Sequence, residues 1–372
     1  MAEDTPPDAP KHGGPLTYPL ETTPQFGEAV DIAPGVKWMR MPLGGSLAFI
    51  NVWAIEDGDG WTVVDTGMHN DETCEAWRRL FETALGGRPV TRVIVTHLHP
   101  DHVGVAGWIT RRFGCRLSMT QLEYLQCRML MADTDRAAPQ EALDFYRRAG
   151  WDDEALDRYR SRFGDFGRSI APLPDSFHRL RDGDVVCIGA HEWRIVVGSG
   201  HSPEHACLHC PALGLLISGD QVLPRISSNV SVHATEPDAD PLTDWLTSLA
   251  RIERLVPADV LVLPAHNDPF LGLHTRLRHL INSHERGLER LQKALAEPRR
   301  AVDVFGSLFA RAIGPSLLGM ATGESLAHLN CLIGRGQAVA TQDADGVVWY
   351  RSTQRNEEKR EADFRPHPAP NF

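Results

Sequence analysis

The chain has 372 residues, 42% hydrophobic and 23% charged, with a formal net charge of −11. Those proportions are ordinary for a globular protein, and the length suits one large domain with a smaller one, or two of middle size. The acidic total argues against a nucleic-acid or anionic-membrane partner, since both need a basic surface.

No apolar run approaches the roughly 20 residues of a membrane span. The opening "MAEDTPPDAPKHGGP" lacks the charged-then-apolar order of a secretory signal. The seven cysteines, an odd number thinly spread, fit reduced thiols and a cytoplasmic location. "CLHC" (Cys207 to Cys210) has C-x-x-C spacing without a second pair and lies in a strand-like run, which points to buried thiols.

Residues 1–28 are rich in Pro, Gly and Thr and read as a flexible tail. "SLAFINVWAIEDGDGWTVVDTG" holds two β-rich runs around "DGDG", a hairpin signal. A helix is expected over about 71–86, with Asp71 at its N-cap, Trp77 and Leu80 on one face and Gly86-Gly87 at its end. "RVIVT" (92–96) reads as a buried strand. The segment after the following turn, "VAGWITRRFG", reads as a helix stopped by Gly114.

Residues 119–170 break the alternation. "PQEALDFYRRAG" runs from Pro139 to Gly150, and "DDEALDRYRSRFG" runs from an Asp cap to Gly164, as two capped helices in tandem. They are expected to form a helical insertion. Strands resume in "DVVCIGAHEWRIVVGSG" and "CLHCPALGLLISGD", followed by a helix near 241–255 and the short strand "VLVLPAH". Residues 271 to about 334 read as helix throughout, and 336–352 as a hairpin turning at Asp345-Gly346. This gives a large domain over 29–270 with the helical insertion at 119–170, a separate C-terminal subdomain of helices and a two-stranded wing over 271–352, and a tail over 353–372. No internal repeat is visible.

The chemistry concentrates in "THLHPDH", residues 96–102. It follows a strand directly, and Pro100 disfavours a helical conformation at His99, so these residues occupy a strand-to-helix turn at a sheet edge. His97 and His99 then reach one ion while Asp101 and His102 face another. A solvated polar loop is the alternative, but unpaired His and Asp at this density need compensation. Three more donors each end a strand of their own: His201 in "GSGHSPEH", Asp220 in "GLLISGD" and His266 in "VLVLPAH". The set divides into His97, His99 and His201 around one ion and Asp101, His102 and His266 around a second, with Asp220 bridging. Imidazole and carboxylate together suit Zn²⁺, and also Fe or Mn. Each ion keeps an open position, as catalytic sites do. Water there loses a proton near neutral pH, and the hydroxide attacks an electrophile that the ions polarise.

"THLHPDHVG", with "DTG" at 65–67, "GHSPEH", "SGD" and "PAH" in that order, resembles the metallo-β-lactamase superfamily over about residues 35–270. The resemblance implies an α/β fold, an αββα sandwich with a dinuclear site at one edge of two packed sheets. It also implies that Asp65 supports the site from behind the ligands. His69, His205 and His233 lie near these loops, as substrate-facing or supporting residues or as ordinary structure.

Asp220 resembles the bridging aspartate of the glyoxalase II, lactonase and phosphodiesterase branches more than the antibiotic-degrading enzymes. The stretch after it, "GDQVLPRISSNVSVH", lacks the glycine- and aromatic-rich glutathione segment of glyoxalase II. Leu223 and Pro224 stand where some lactonases use a tyrosine. The C-terminal helices with a hairpin resemble the lactamase-β-like group, which carries a winged-helix-like domain.

The expected reaction is hydrolysis of an ester, lactone or thioester carbonyl, with Asp101 orienting the nucleophile and Asp220 tying the metals together. A phosphodiesterase or nuclease is the runner-up. It draws on the basic stretch 274–300, with seven Lys/Arg against three Asp/Glu, which otherwise reads as a solvated helix face. An iron-dependent oxidoreductase of the sulfur dioxygenase type is the third reading. The aromatic and Met residues of the insertion, from Tyr124 to Phe166, form either an apolar wall over the metals or a satellite core. The wall implies a small, partly hydrophobic substrate, and a homo-oligomer is compatible with all of this.

Overall fold

The computed structural model describes residues 16–353. The first 15 residues of the expected N-terminal tail and residues 354–372 of the expected C-terminal tail lie outside that range. Residues 16–28, also expected in the tail, make specific contacts. Thr17 bridges Leu271, and the Phe26 ring meets Phe49 at 5.3 Å between centroids.

Four strands form an antiparallel meander: β1 (Ala29–Ala33), β2 (Val36–Gly44), β3 (Ala48–Asp57) and β4 (Gly60–Val64). Helix α1 (Asp71–Glu82) leads to β5 (Val90–Ile94). Helices α2 (Pro100–Val103) and α3 (Ala106–Phe113) lead to β6 (Arg116–Thr120). Helices α4 (Gln121–Ala132), α5 (Gln140–Arg148), α6 (Asp153–Arg162) and α7 (Asp165–Arg168) lead to β7 (His178–Leu180). Strands β5, β6 and β7 add in parallel, giving a seven-stranded sheet in the order β1 to β7.

The second sheet holds β8 (Val185–Ile188), β9 (His191–Gly198), β10 (His205–Cys210), β11 (Leu215–Gly219) and β12 (Leu261–Pro264), in the order β12-β11-β10-β9-β8. Helix α8 (Pro241–Leu255) joins β11 to β12, which pair in parallel.

Side-chain alternation explains the layering. Trp38, Trp53, Ile55, Val64 and Ile94 of the first sheet pack with Trp193, Ile195, Leu208 and Ile217 of the second. The opposite face of the first sheet presents Met39, Met41, Val52, Val63 and Val93 to Trp77 and Leu80 of α1 and Ile109 of α3. The sheet is therefore buried on both sides. Beyond the second sheet, the Ser248 hydroxyl of α8 accepts a hydrogen bond from the Ser199 N–H (2.9 Å), and Arg251 of α8 donates to the Val197 carbonyl (2.8 Å). Helix, sheet, sheet, helix is the expected αββα sandwich.

Several local expectations need correction. The α1 N-cap is Asn70, whose side chain accepts from the Thr73 N–H, while Asp71 is the first helical residue. β6 occupies the start of the segment expected to be an insertion, and β7 follows it. The C-terminal segment expected to be helix throughout is interrupted by non-helical stretches. Helix α9 (Leu273–Ala294) ends before Pro298, a short 3₁₀ turn and α10 (Phe305–Leu308) follow, and α11 (Leu318–Gly334) begins after Gly314 and Pro315. Strands β13 (Ala338–Gln342) and β14 (Val348–Ser352) form the terminal hairpin.

Contacts divide the chain into two compact units. The second comprises Pro139–Asp157, Ser231–Leu242 and the chain from His284 onward. The helical insertion is thus split. Helix α5 belongs with the C-terminal elements, where Trp151 donates its indole N–H to Thr322 (2.9 Å) and Gly150 packs on Val302. Helices α4 and α7 stay in the first unit, with Gly167 fitted closely against Met131 and Thr134. All seven expected metal ligands lie in the first unit. No helix among the described residues is long and apolar enough to cross a membrane. All seven cysteines are free, and Cys207 and Cys210 are buried within β10.

Candidate metal centre

The ends of β5, β9, β11 and β12 converge. His97 and His99 follow β5, His201 follows β9, Asp220 directly follows β11, and His266 comes two residues after β12. Pro100 sets the turn between them. His99 is extended (φ −62°, ψ 145°) and caps α2, whose first turn presents Asp101 and His102.

Two clusters result. His97, His99, His201 and Asp220 bring one donor atom each to within 4.8 Å of one another, and Asp101, His102 and His266 do the same. His97 Nε2 lies 2.8 Å from His99 Nδ1 and 3.3 Å from His201 Nε2. Asp220 faces both clusters. Its Oδ2 is 3.3 Å from His201 Nε2, and its Oδ1 is 3.6 Å from His102 Nε2 and 3.4 Å from His266 Nε2. Asp101 Oδ2 stands 3.4 Å from His266 Nε2 and 3.7 Å from His102 Nε2.

The outer nitrogens of the rings fix which way the inner ones point. His201 Nδ1 donates to the Asn229 carbonyl (2.7 Å), His266 Nδ1 to the Phe49 carbonyl (3.1 Å) and His102 Nδ1 to Asp65 Oδ2 (2.8 Å). Each acceptor leaves Nε2 as the free electron pair aimed inward, the arrangement that metal-ligating histidines adopt. Thr96 donates its hydroxyl to Asp65 (2.8 Å), so its remaining lone pair receives His97 Nδ1 (3.1 Å).

Asp65 sits at the end of β4 with φ 59°, a left-handed conformation that aspartate tolerates better than most residues. Its Oδ1 accepts the Thr96 N–H at 2.8 Å. Beside it, the Thr66 N–H and hydroxyl both donate to the His102 carbonyl at 2.8 Å, so the "DTG" segment holds α2 in place.

The charge balance tests whether cations fit. Asp65, Asp101 and Asp220 are all withdrawn from solvent, and among the described residues their ion-pair partners are histidines. His102 Nε2 and Asp220 Oδ1 are buried without a hydrogen bond. With the protein groups alone, burial opposes a proton on His102, and the carboxylates of Asp65, Asp101 and Asp220 overcome it and push the ring well above its usual range. Burial also works against a charged His266, which Asp220 and Asp101 raise. On the other side, burial and the adjacent imidazoles hold His97 well below normal, and burial with His201 drops His99 to about 3. Rings that are neutral electron-pair donors, set among carboxylates that demand positive charge, form a donor set suited to divalent cations.

Four supporting residues complete the site. His205 accepts the Asp220 backbone N–H on its Nε2 (3.1 Å), so it holds the bridging carboxylate's main chain. His69 is exposed, and His233 is exposed in the second unit. Asn51, buried in β3, donates to the Pro264 and Asn267 carbonyls (2.8 and 2.6 Å) on either side of His266. Glu123 of α4 accepts the Leu98 N–H between His97 and His99. Arg276 donates to the carbonyls of Leu223 and Ile226 (2.5 and 2.6 Å), fixing the loop after Asp220. Sequence reading gave no role to Asn51, Glu123 or Arg276. Asn51 is a polar residue inside an apolar run, which by itself names no partner, whereas Glu123 and Arg276 stand in ordinary mixed helix sequence and give no local signal.

The chain belongs to the metallo-beta-lactamase superfamily, whose family model matches residues 45–266. A second model, the metallo-beta-lactamase-like C-terminal domain, matches residues 288–353. A beta-lactamase domain protein from Burkholderia ambifaria is 42% identical, with 91% of this chain and 98% of that chain covered at a TM-score of 0.84. A metallo-beta-lactamase family protein from Thermus thermophilus shares the fold at 24% identity, with 87% and 100% covered and a TM-score of 0.73. An uncharacterized protein of Aquifex aeolicus is 23% identical over 61% of this chain and 88% of its own length.

Proposed function

We propose that this protein is a dinuclear metal-dependent hydrolase of a carboxylic ester, lactone or thioester, with zinc as its first metal. The observation that carries the reading is the set of three solvent-shielded carboxylates with histidines as their ion-pair partners, ringed by imidazoles whose Nε2 electron pairs face inward. His97, His99 and His201 would hold one ion, and Asp101, His102 and His266 the other. Asp220, with one oxygen toward each cluster, would serve both. Bound divalent ions supply a hydrolytic nucleophile at neutral pH and polarise the scissile carbonyl.

The chain's own residues then orient the reaction. Asp101, the most open of the three carboxylates with 18% of its side chain exposed, would orient the attacking water. Asp65 and the Phe49 and Asn229 carbonyls keep the histidine tautomers fixed. A cleft of about 170 Å³ opens at Asn267, the residue after His266, and is lined by Arg40, Asn51, Arg225, Asn267 and Asp268 with Leu47 and Phe49, so that most of its wall is polar. Leu122, Leu125 and Met129 are each 44–50% exposed on α4, the helix whose Glu123 bonds to the loops carrying His97 and His201. The size of the cleft supports a small substrate, and the exposed α4 side chains support one that is partly hydrophobic.

Two features weigh against a nucleic acid. Arg276 is buried on carbonyls, and Arg278 and Arg300 of the basic stretch are paired with Glu253 and Asp303.

The test is the metal content of the protein as purified, followed by hydrolysis of matched ester, lactone, thioester and phosphodiester substrates before and after chelation. About two zinc per chain, with carbonyl-ester turnover that chelation abolishes and zinc restores, is the expected result. A metal-free active protein, or turnover confined to the phosphodiester, would refute the proposal.

A further inference from the structure

Glu123 is fully buried, and its carboxylate takes three hydrogen bonds from two different loops. Its Oε2 accepts the Leu98 N–H at 2.8 Å, and its Oε1 accepts the Ser202 hydroxyl at 2.6 Å and the Glu204 N–H at 2.8 Å. Leu98 stands between His97 and His99, and Ser202 directly follows His201. One side chain therefore joins the two chain segments that carry the first histidine cluster.

Its position in α4 makes this arrangement unusual. Glu123 is the third residue of the helix after the cap Thr120, where a glutamate ordinarily folds back onto the cap's own N–H. Here Thr120 makes no side-chain cap and instead donates its hydroxyl to the Glu204 carbonyl at 2.7 Å, while the Leu122 N–H is bonded to the Glu204 carboxylate at 2.9 Å. The start of α4 is thus committed to the 201–205 loop, and Glu123 is left to reach across to the other. The helix N-terminus adds favourable field for the charge.

We infer that Glu123 is a positioning residue that clamps the His97–His99 turn to the His201 loop and so sets the spacing of the three nitrogens of the first cluster. It acts through Leu98 and Ser202 and touches no ligand ring. The inference rests on the dinuclear reading above.

Glu123→Gln is the decisive variant, because an amide cannot satisfy all three donors. With its oxygen toward Ser202 and Glu204, its NH₂ meets the Leu98 N–H; turned around, it meets the Glu204 N–H. Ser202→Ala removes one of the three bonds and leaves the carboxylate in place. The measurement is the affinity of each site in the full chain for Co²⁺ by competition with a chromophoric chelator, together with the visible spectrum and paramagnetically shifted ring-proton signals that assign each ion to its histidines.

In a folded Glu123→Gln protein, the ion on His97, His99 and His201 should bind on the order of tenfold more weakly with an altered spectrum. The ion on His102 and His266 should bind as in the wild type, and Ser202→Ala should give a smaller loss at the same cluster. Wild-type affinities and spectra in a folded Glu123→Gln protein would overturn the inference, as would equal weakening at both clusters. If Glu123→Gln does not fold, wild-type binding by Ser202→Ala overturns it and selective weakening sustains it. A wild-type protein that takes up no Co²⁺ defeats the dinuclear reading itself, which is a different result from either.

Discussion

Replacing Asp65 by asparagine should change the tautomer of His102 and weaken the second metal cluster. Asp65 Oδ1 faces the Thr96 N–H, a group that can only donate, so the amide oxygen of the variant must occupy that place. The NH₂ group then falls where Oδ2 receives the Thr96 hydroxyl and His102 Nδ1, both at 2.8 Å. The hydroxyl can rotate and accept. His102 can avoid two opposed N–H groups only by moving its proton to Nε2, the atom that faces Asp101 and Asp220.

Loss of an outer partner of a ligating histidine ordinarily costs about 10–100-fold in metal affinity, or about 1.4–2.7 kcal/mol. The Asp65 case belongs at the upper end, because the ligand atom itself is protonated. Stepwise metal titration of the variant should show this loss for the ion held by His102 and His266 and little change for the other. The ¹⁵N shifts of the His102 ring report the tautomer directly. Unchanged affinity at that cluster, or a proton still on Nδ1, would refute the reasoning.

Three further outcomes are expected. Gly219→Ala places a Cβ 2.5 Å from His205 Nε2 at a residue with φ 50°, so denaturant unfolding should show a loss of about 1–3 kcal/mol and metal affinity should fall as Asp220 shifts; a fully stable variant would mean that the ring moves freely. His284 and His328 face each other in the second unit, and burial holds them at about 3 and about 4. Their depressed values mean that stability is lost as pH falls from 6.5 toward those values, so His328→Leu should flatten the decline in urea midpoint between pH 7.5 and 5, and an unchanged slope would count against it. Leu125→Glu with Met129→Glu should lower kcat/KM for long-chain acyl esters by about tenfold, the worth of roughly 55 Å² of apolar contact; an equal fall for acetyl esters would show that the stripe does not meet the chain.

Much of the centre was legible because its residues are dense and follow strand signals: "RVIVT", "WRIVV", "GLLIS" and "VLVLP" each lead to a donor within four residues. The stop at Gly114 and the bounds of α8 were legible from caps and composition. Less visible were features that need a partner far along the chain. β7 is a three-residue strand with no alternation to detect. β6 is short and runs directly into α4, so its last two residues fall inside the segment from 119 expected to be a helical insertion, and the rest give no strand signal. Asn51 looks like an isolated polar substitution, and Glu123 like an ordinary helix residue, until the fold brings Asn267 and Ser202 to them. The break after α9 was signalled by Pro298, Gly314 and Pro315, but the basic, amphipathic character of the stretch outweighed them. Residues 16–28 have the composition of a tail, yet Thr17 finds a backbone partner at Leu271, which no local pattern encodes.

The acceptors for His201 and His266 are main-chain carbonyls, those of Asn229 and Phe49. A carbonyl is common to every amino acid, so neither contact depends on which side chain stands at position 49 or 229. Descendants of this chain can therefore redraw the walls around the histidine clusters, trading Phe49 for another residue, while the imidazoles stay aimed as they are. The same property makes these contacts invisible to alanine scanning. Shortening the loops or altering their backbone is what would disturb them.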